Sequence, residues 1–170
     1  MSATLAAGVM GMRQADEWVL LAYRLPRVPS TPRSAVWRKL KRLGVAQLGD
    51  GLVALPADAR TREQLEWVAE EVTDHGGEAT LWLGRPLDAS AASVVVARMT
   101  AAVADDYNAV AAEAATARTA DAAARRRAVA RLRRELHRIQ SRDFFTCPQG
   151  EAARRAVEHL TATDPAEARA

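Results

Sequence analysis

The chain has 170 residues, 24 Lys+Arg against 21 Asp+Glu and a formal charge of +3, a length that supports a genuine core without disulfides or metals. Alanine supplies much of the 49% apolar share and aromatics only 5%, a helix-rich composition that excludes collagen-like, disulfide-scaffold and disordered classes. Cys147 has no second cysteine to pair with, no apolar run reaches 18 residues, and no cation precedes the apolar start, so the expectation is a cytoplasmic chain without a spanning helix, membrane contact or secretory signal.

Residues 1–16 read as a flexible N-terminus. Trp18-Val-Leu-Leu-Ala-Tyr-Arg-Leu25 is a β-favouring run closed by Pro26, predicting a strand largely buried on both faces. Pro26, Pro29 and Pro32 recur at every third position as an extended connector, with Thr31 as N-cap and Pro32 as first helical residue. That helix runs to Leu43 and stops at Gly44, with Val36, Leu40 and Leu43 on one face and Arg38, Lys41 and Arg42 on the other. Residues 45–48 and 52–55 are short strands joined through Gly49-Asp50-Gly51. A second helix starts at Thr61 and Glu63 and packs Leu65, Val68, Ala69 and Val72. Its outer face carries Glu63, Glu66, Glu70, Glu71 and Asp74 around Trp67, and it ends at Gly76-Gly77. Residues 78–83 make a fourth strand. The order β, α, β, β, α, β over 17–86 predicts an α+β fold, a ferredoxin-like sandwich with one antiparallel sheet and two helices on one face.

From Asp88 the pattern is helical, so 87–161 is expected as a helical C-terminal extension packed on the sandwich and 162–170 as a disordered tail. Val96, Met99, Val103, Tyr107 and Val110 form one stripe. In the next helix Val129, Leu132, Leu136 and Ile139 form the packing stripe, and Arg127, Arg131, Arg134 and Arg138 a second one roughly 150° away. Asp143-Phe144-Phe145 breaks that helix, and Pro148 opens the last one. Trp18, Trp37 and Trp82 are expected in the core. Trp67 points away from its own helix's apolar stripe and marks either an interface, as in a homodimer, or a surface buried under the C-terminal helices.

The cations are segregated. Seven lie between Arg24 and Arg42 with no acid among them, and nine between Arg118 and Arg142 against Asp121 and Glu135. Guanidinium forks bond phosphate bidentately, so Arg33, Arg38, Lys39, Lys41 and Arg42 on the first basic helix are candidate DNA or phosphate contacts. Arg126, Arg127, Arg131, Arg134 and Arg138 are the candidates on the second. The competing reading is a solvated basic face answered by the protein's own acidic helix. Catalytic and metal chemistry find little support, and no cofactor is expected. His75, His137 and His159 are far apart in sequence, Cys147 has no C-x-x-C partner, and adjacent Asp105 and Asp106 diverge by 100° on a helix. Cys147 near a helix start reads as a thiol of lowered pKa or as a plain capping-region residue.

Trp18-Val-Leu-Leu-Ala-Tyr-Arg-Leu-Pro-Arg-Val-Pro-Ser, Val36-Trp-Arg-Lys-Leu-Lys-Arg-Leu-Gly44, Leu55-Pro56 and Gly76-Gly-Glu-Ala79 resemble the N-terminal domain of the chromate-resistance regulator ChrB. Leu136-His-Arg-Ile-Gln-Ser-Arg-Asp-Phe-Phe145 resembles that domain's later Ile-Asp-Phe-Phe segment, with Arg142 at an aliphatic position. The first half is also similar to the ferredoxin-like middle domain of the PaaX repressor. The resemblance implies a cytoplasmic, non-enzymatic transcription regulator that binds the promoter of a chromate-efflux operon, with the chromate oxyanion as effector. ChrB carries a further C-terminal domain and PaaX a preceding winged helix, neither found in these 170 residues. The alternative is therefore a non-catalytic sensor or protein-interaction module with no sequence-specific DNA binding. Spacer-acquisition nucleases of the same fold carry a metal-binding acid at the end of the first strand, where this chain has Arg24, which argues against nuclease chemistry.

Overall fold

The structure, a computed structural model, describes residues 17–162. The expectations for 1–16 and for the tail after Ala162 lie outside the described residues. Nine elements follow in order: β1 (Trp18–Arg24), α1 (Thr31–Leu43), β2 (Ala46–Gly49), β3 (Leu52–Pro56), α2 (Ala59–Asp74), β4 (Glu78–Gly84), α3 (Ala89–Ala117), α4 (Ala122–Gln140) and α5 (Gln149–Ala162). The fold is α+β, with one four-stranded antiparallel sheet in the order β2-β3-β1-β4.

Register decides which side chains meet. Val19 lies opposite Leu55 and Leu21 opposite Val53, and all four are buried. Alternation places them on one face of the sheet, where they share a core with Val36 and Leu40 of α1 and Leu65, Val68 and Val72 of α2. The opposite face carries Trp18, Leu20 and Ala54, with Ala91 and Val95 of α3 beside them. Trp18 also meets the Phe145 ring at 6.2 Å between centroids. A second core forms where Val103, Tyr107 and Val110 of α3 pack with Leu132, Leu136 and Ile139 of α4 and with Val157 and Leu160 of α5. The 29-residue α3 thus serves both cores.

Local chemistry sets the ends of the elements. Asp58 caps α2 by accepting the Thr61 N–H at 2.7 Å, while the Thr61 hydroxyl accepts the Asp58 N–H at 3.0 Å. This capping box starts α2 at Ala59, two residues ahead of the expected Thr61. On α1, Ser30 takes the cap position expected of Thr31. Two further expectations are corrected. Trp82 is 61% exposed because β4 is an edge strand and α3 reaches only its Gly84 end. β1 is buried at Trp18, Val19 and Leu21, half-buried at Leu20, Ala22 and Tyr23 and exposed at Arg24, so its cover thins toward its C-terminal end.

α1 ends at Gly44 with φ 75°, and its N–H returns to the Leu40 and Lys41 carbonyls. A side chain there would be strained, and its Cβ would stand 2.8 Å from the Arg142 Cβ beyond the end of α4. Gly44→Ala is therefore expected to cost about 2 kcal/mol and to lower Tm by roughly 4–8 °C. Gly49→Ala, with nothing within 4 Å of its Cβ, should stay within about 0.5 kcal/mol. Parallel thermal melts check both.

Candidate nucleic-acid interface

α1 presents its cations unequally. Arg38, Lys41 and Arg42 are exposed, and Lys41 stands 5.8 Å from the Trp37 ring centroid. Lys39 is half-buried and bonds Glu71 of α2 at 2.7 Å, so the acidic helix answers this cation. Such a pair contributes about 0.2–1 kcal/mol. Arg33 sits one turn into α1 beside Tyr23, whose phenol burial raises and Arg33 pulls back.

On α4 the two stripes separate as their spacing requires. Val129, Leu132, Leu136 and Ile139 are buried, while Arg126, Arg127, Arg131, Arg134 and Arg138 are exposed. Arg131 is paired with Glu113 of α3, and Arg138 with Glu135 at 3.0 Å. Arg126, Arg127 and Arg134 make no ion pair with a described residue. At the start of α4 the Asp121 carboxylate accepts the Ala124 N–H at 2.7 Å. That bond, with Arg127 and Arg125 nearby, holds its carboxyl below the usual range.

The two basic helices approach at their C-terminal ends, through Gly44 and Arg142. Arg142 reaches Asp106 of α3 at 2.9 Å. Arg60, from the first turn of α2, donates to the Ser141 carbonyl at 2.8 Å and stands 5.7 Å from the Phe144 centroid. These clamps join distant parts of the chain, and no local pattern announces them. The only sequence signal is the pair Asp105-Asp106, of which Asp106 is the acid that Arg142 uses. Trp67 is 54% exposed within the acidic face of α2, so burial under the C-terminal helices is excluded.

Cys147 is buried, not activated. Its N–H donates to both Asp143 carboxylate oxygens at 3.0 and 3.1 Å, and its Sγ donates to Gln149 Oε1 at 2.9 Å. Burial pushes the thiol above its ordinary 9.0, with Asp143 adding to the effect. The lowered pKa entertained for a thiol at a helix start is thereby corrected. Tyr107 donates to Asp143 Oδ2 at 3.2 Å, and burial followed by that carboxylate holds its phenol well above its ordinary value. Among the described residues no three His, Cys, Asp or Glu side chains gather as a metal site, and no helix is long and apolar enough to cross a membrane.

Comparison with protein families finds one whose description is protein ChrB, N-terminal, matching residues 33–165. The chain belongs to this ChrB N-terminal family. The match takes in α1, α4 and the Phe144-Phe145 junction between the two cores. Membership in the ChrB family suggests a regulator related to chromate resistance. No curated protein and no solved structure matches the chain.

The Asp143 cluster makes stability fall in alkali. Cys147 and Tyr107 both hold their protons more tightly folded than unfolded, so their contribution is complete below the ordinary thiol value of 9.0 and shrinks as pH rises beyond it. Urea melts between pH 7 and 10.5 should show a falling midpoint above about pH 9, less steep in Cys147→Ala. Iodoacetamide at pH 8 should label Cys147 only once denaturant unfolds the chain.

Proposed function

We propose that this chain is a chromate-responsive, DNA-binding transcription regulator of a chromate-resistance operon, acting in the cytoplasm without catalysis of its own. The observation that carries this reading is the approach of two exposed basic helices, α1 and α4, at Gly44 and Arg142 in a member of the ChrB N-terminal family. From Arg126 to Arg138 the helix advances about 18 Å, the length of about five nucleotides along one strand of duplex DNA. Arg126, Arg127 and Arg134, which make no ion pair with a described residue, are available to phosphates, and Arg38, Lys41 and Arg42 extend the basic surface onto α1. Contacts of this kind supply affinity and register, and make binding steeply salt-dependent.

The same reading takes the first six elements as a ferredoxin-like βαββαβ unit. In support, β3 lies antiparallel between β1 and β2, and β1 antiparallel between β3 and β4, the strand order that two interleaved split βαβ units require. It also includes a homodimer formed along β4. That strand leaves an unpaired edge, and Trp82 and Leu83 on it are exposed, as is Trp67 on the α2 packed behind it. Two copies running antiparallel would bring Glu78 of each toward Arg85 of the other, opposite charges at opposite ends of the edge. Arg85 is only loosely held by Glu17, at 3.7 Å.

One observation favours the second reading, a non-catalytic sensor or protein-interaction module without sequence-specific DNA binding. Lys39, Arg131 and Arg138 are already tied to Glu71, Glu113 and Glu135, so part of the basic surface is answered internally.

Fluorescence anisotropy with the chain's own upstream duplex and a scrambled duplex, at two salt concentrations, separates the readings. The regulator should prefer its own promoter, and chromate but not sulfate should relieve that binding. Equal binding to both duplexes, or none, supports the module. Reversal of Arg127 and Arg134 to Glu should weaken promoter binding at least tenfold, about 1.4 kcal/mol, and flatten the salt slope. Unchanged affinity removes α4 from the interface. For the dimer, sedimentation should show association of the parent protein and a monomer for Leu83→Lys. A monomeric parent protein ends that part of the proposal.

A further inference from the structure

At the end of α1 remote from Gly44 the protein has an open cleft of about 860 Å³. Its walls are the last residues of β1, the Pro26-Arg27 connector, the first turns of α1, the Asp50-Gly51 turn and Gly76-Gly77 ahead of β4. Three arginines line it, Arg24, Arg27 and Arg33, and none makes an ion pair with a described residue. Tyr23 and Trp37 supply ring surface. Two acids, Asp50 and Glu78, also belong to the lining. Gly51 has φ 73°, and a Cβ there would run into the Tyr23 carbonyl oxygen, so backbone closes tightly against the end of β1 at this wall.

Size and chemistry narrow the occupant. The volume lies in the range of sites for drug-sized ligands, roughly 300–1,000 Å³. A bare tetrahedral oxyanion fills a small part of it and leaves the aromatic and acidic residues of the lining unused. A ligand that uses every part of the lining needs three features. It needs an anionic group for the arginine forks, a planar ring for the aromatic side chains, and hydroxyl or amino hydrogens for the carboxylates. A nucleoside phosphate has all three.

We propose that this cleft binds a nucleoside monophosphate, with its phosphate held by Arg24, Arg27 and Arg33 and its base beside Trp37. Hydroxyl or amino groups of the ligand donate to Asp50 or Glu78. The proposal does not rest on DNA binding by α4, no residue of which lines the cleft.

Calorimetric titration of the 170-residue chain with AMP, CMP, GMP and UMP, beside adenosine and inorganic phosphate, tests it. At least one nucleotide should bind saturably, with inorganic phosphate and the free nucleoside at least tenfold weaker because each engages only part of the lining. Arg33→Ala and Arg27→Ala replace exposed side chains and should each reduce nucleotide affinity at least tenfold. Arg134→Ala on α4 should leave it unchanged. The proposal is overturned by no saturable binding of any of the four up to about 10 mM, by inorganic phosphate binding as tightly as the nucleotide, or by full affinity in Arg33→Ala. Competitive displacement of the nucleotide by a short DNA duplex also overturns it, because the cleft is then a stretch of DNA-binding surface.

Discussion

The contact between Trp18 and Phe145 sets the arrangement of everything else. Phe145 arrives from the loop after α4, packs against the first residue of β1 and joins the core that the sheet shares with α1 and α2. Asp143, two residues earlier, is held by Tyr107 and by the Cys147 N–H, and Arg142 by Asp106. Ser141 is held by Arg60. Four anchored residues, Ser141, Arg142, Asp143 and Phe145, therefore tie the loop to α2, α3 and β1. Burying a phenylalanine supplies about 1.5–3 kcal/mol, and the polar anchors give that burial its direction. The relative position of the two basic helices is inherited from this loop.

Charge on the two helices does two jobs. Lys41 and Arg42 lie in the last turn of α1, and His137 and Arg138 in the last turn of α4, where the carbonyl ends of the helices favour positive charge. Lys39 and Arg131 brace one helix against another through Glu71 and Glu113. What is left over, chiefly Arg38, Arg126, Arg127 and Arg134, is turned to solvent. That surplus is the exposed basic surface on which the proposed contact with DNA rests.

Much of the fold was legible in the sequence because its signals are local. The two stripes of α4, the buried Leu65, Val68 and Val72 of α2, and the stops at Gly44 and Gly76 all follow from spacing of 3.6 residues and from turn chemistry. Strand pairing through Gly49-Asp50-Gly51 was equally plain. What escaped depends on where distant residues meet. Trp82 has a core residue's chemistry, yet the edge position of β4 decides its exposure. Arg142 occupies an aliphatic position of the family pattern, and its use became visible only with Asp106 beside it. Lys39 was indistinguishable from Lys41 until α2 lay against α1. The cleft is likewise assembled from four separate stretches of chain. Arg24 and Arg27 belonged to the basic run, but nothing local joined them to Trp37 or Glu78.

The Trp18 to Phe145 contact closes a loop that spans most of the chain, and it has a consequence for how the protein comes into being. During synthesis β1 leaves the ribosome early, and the sheet and its two flanking helices can assemble soon afterwards. The face bearing Trp18 and Leu20 then waits for Val96 and Met99, and after them for Phe145 beyond α4. Until that moment the nascent sheet exposes the apolar face that Phe145 later covers. Such a long-range closure slows folding relative to the locally connected helices. The window before Phe145 arrives is when the growing chain is most open to aggregation and most suited to chaperone capture.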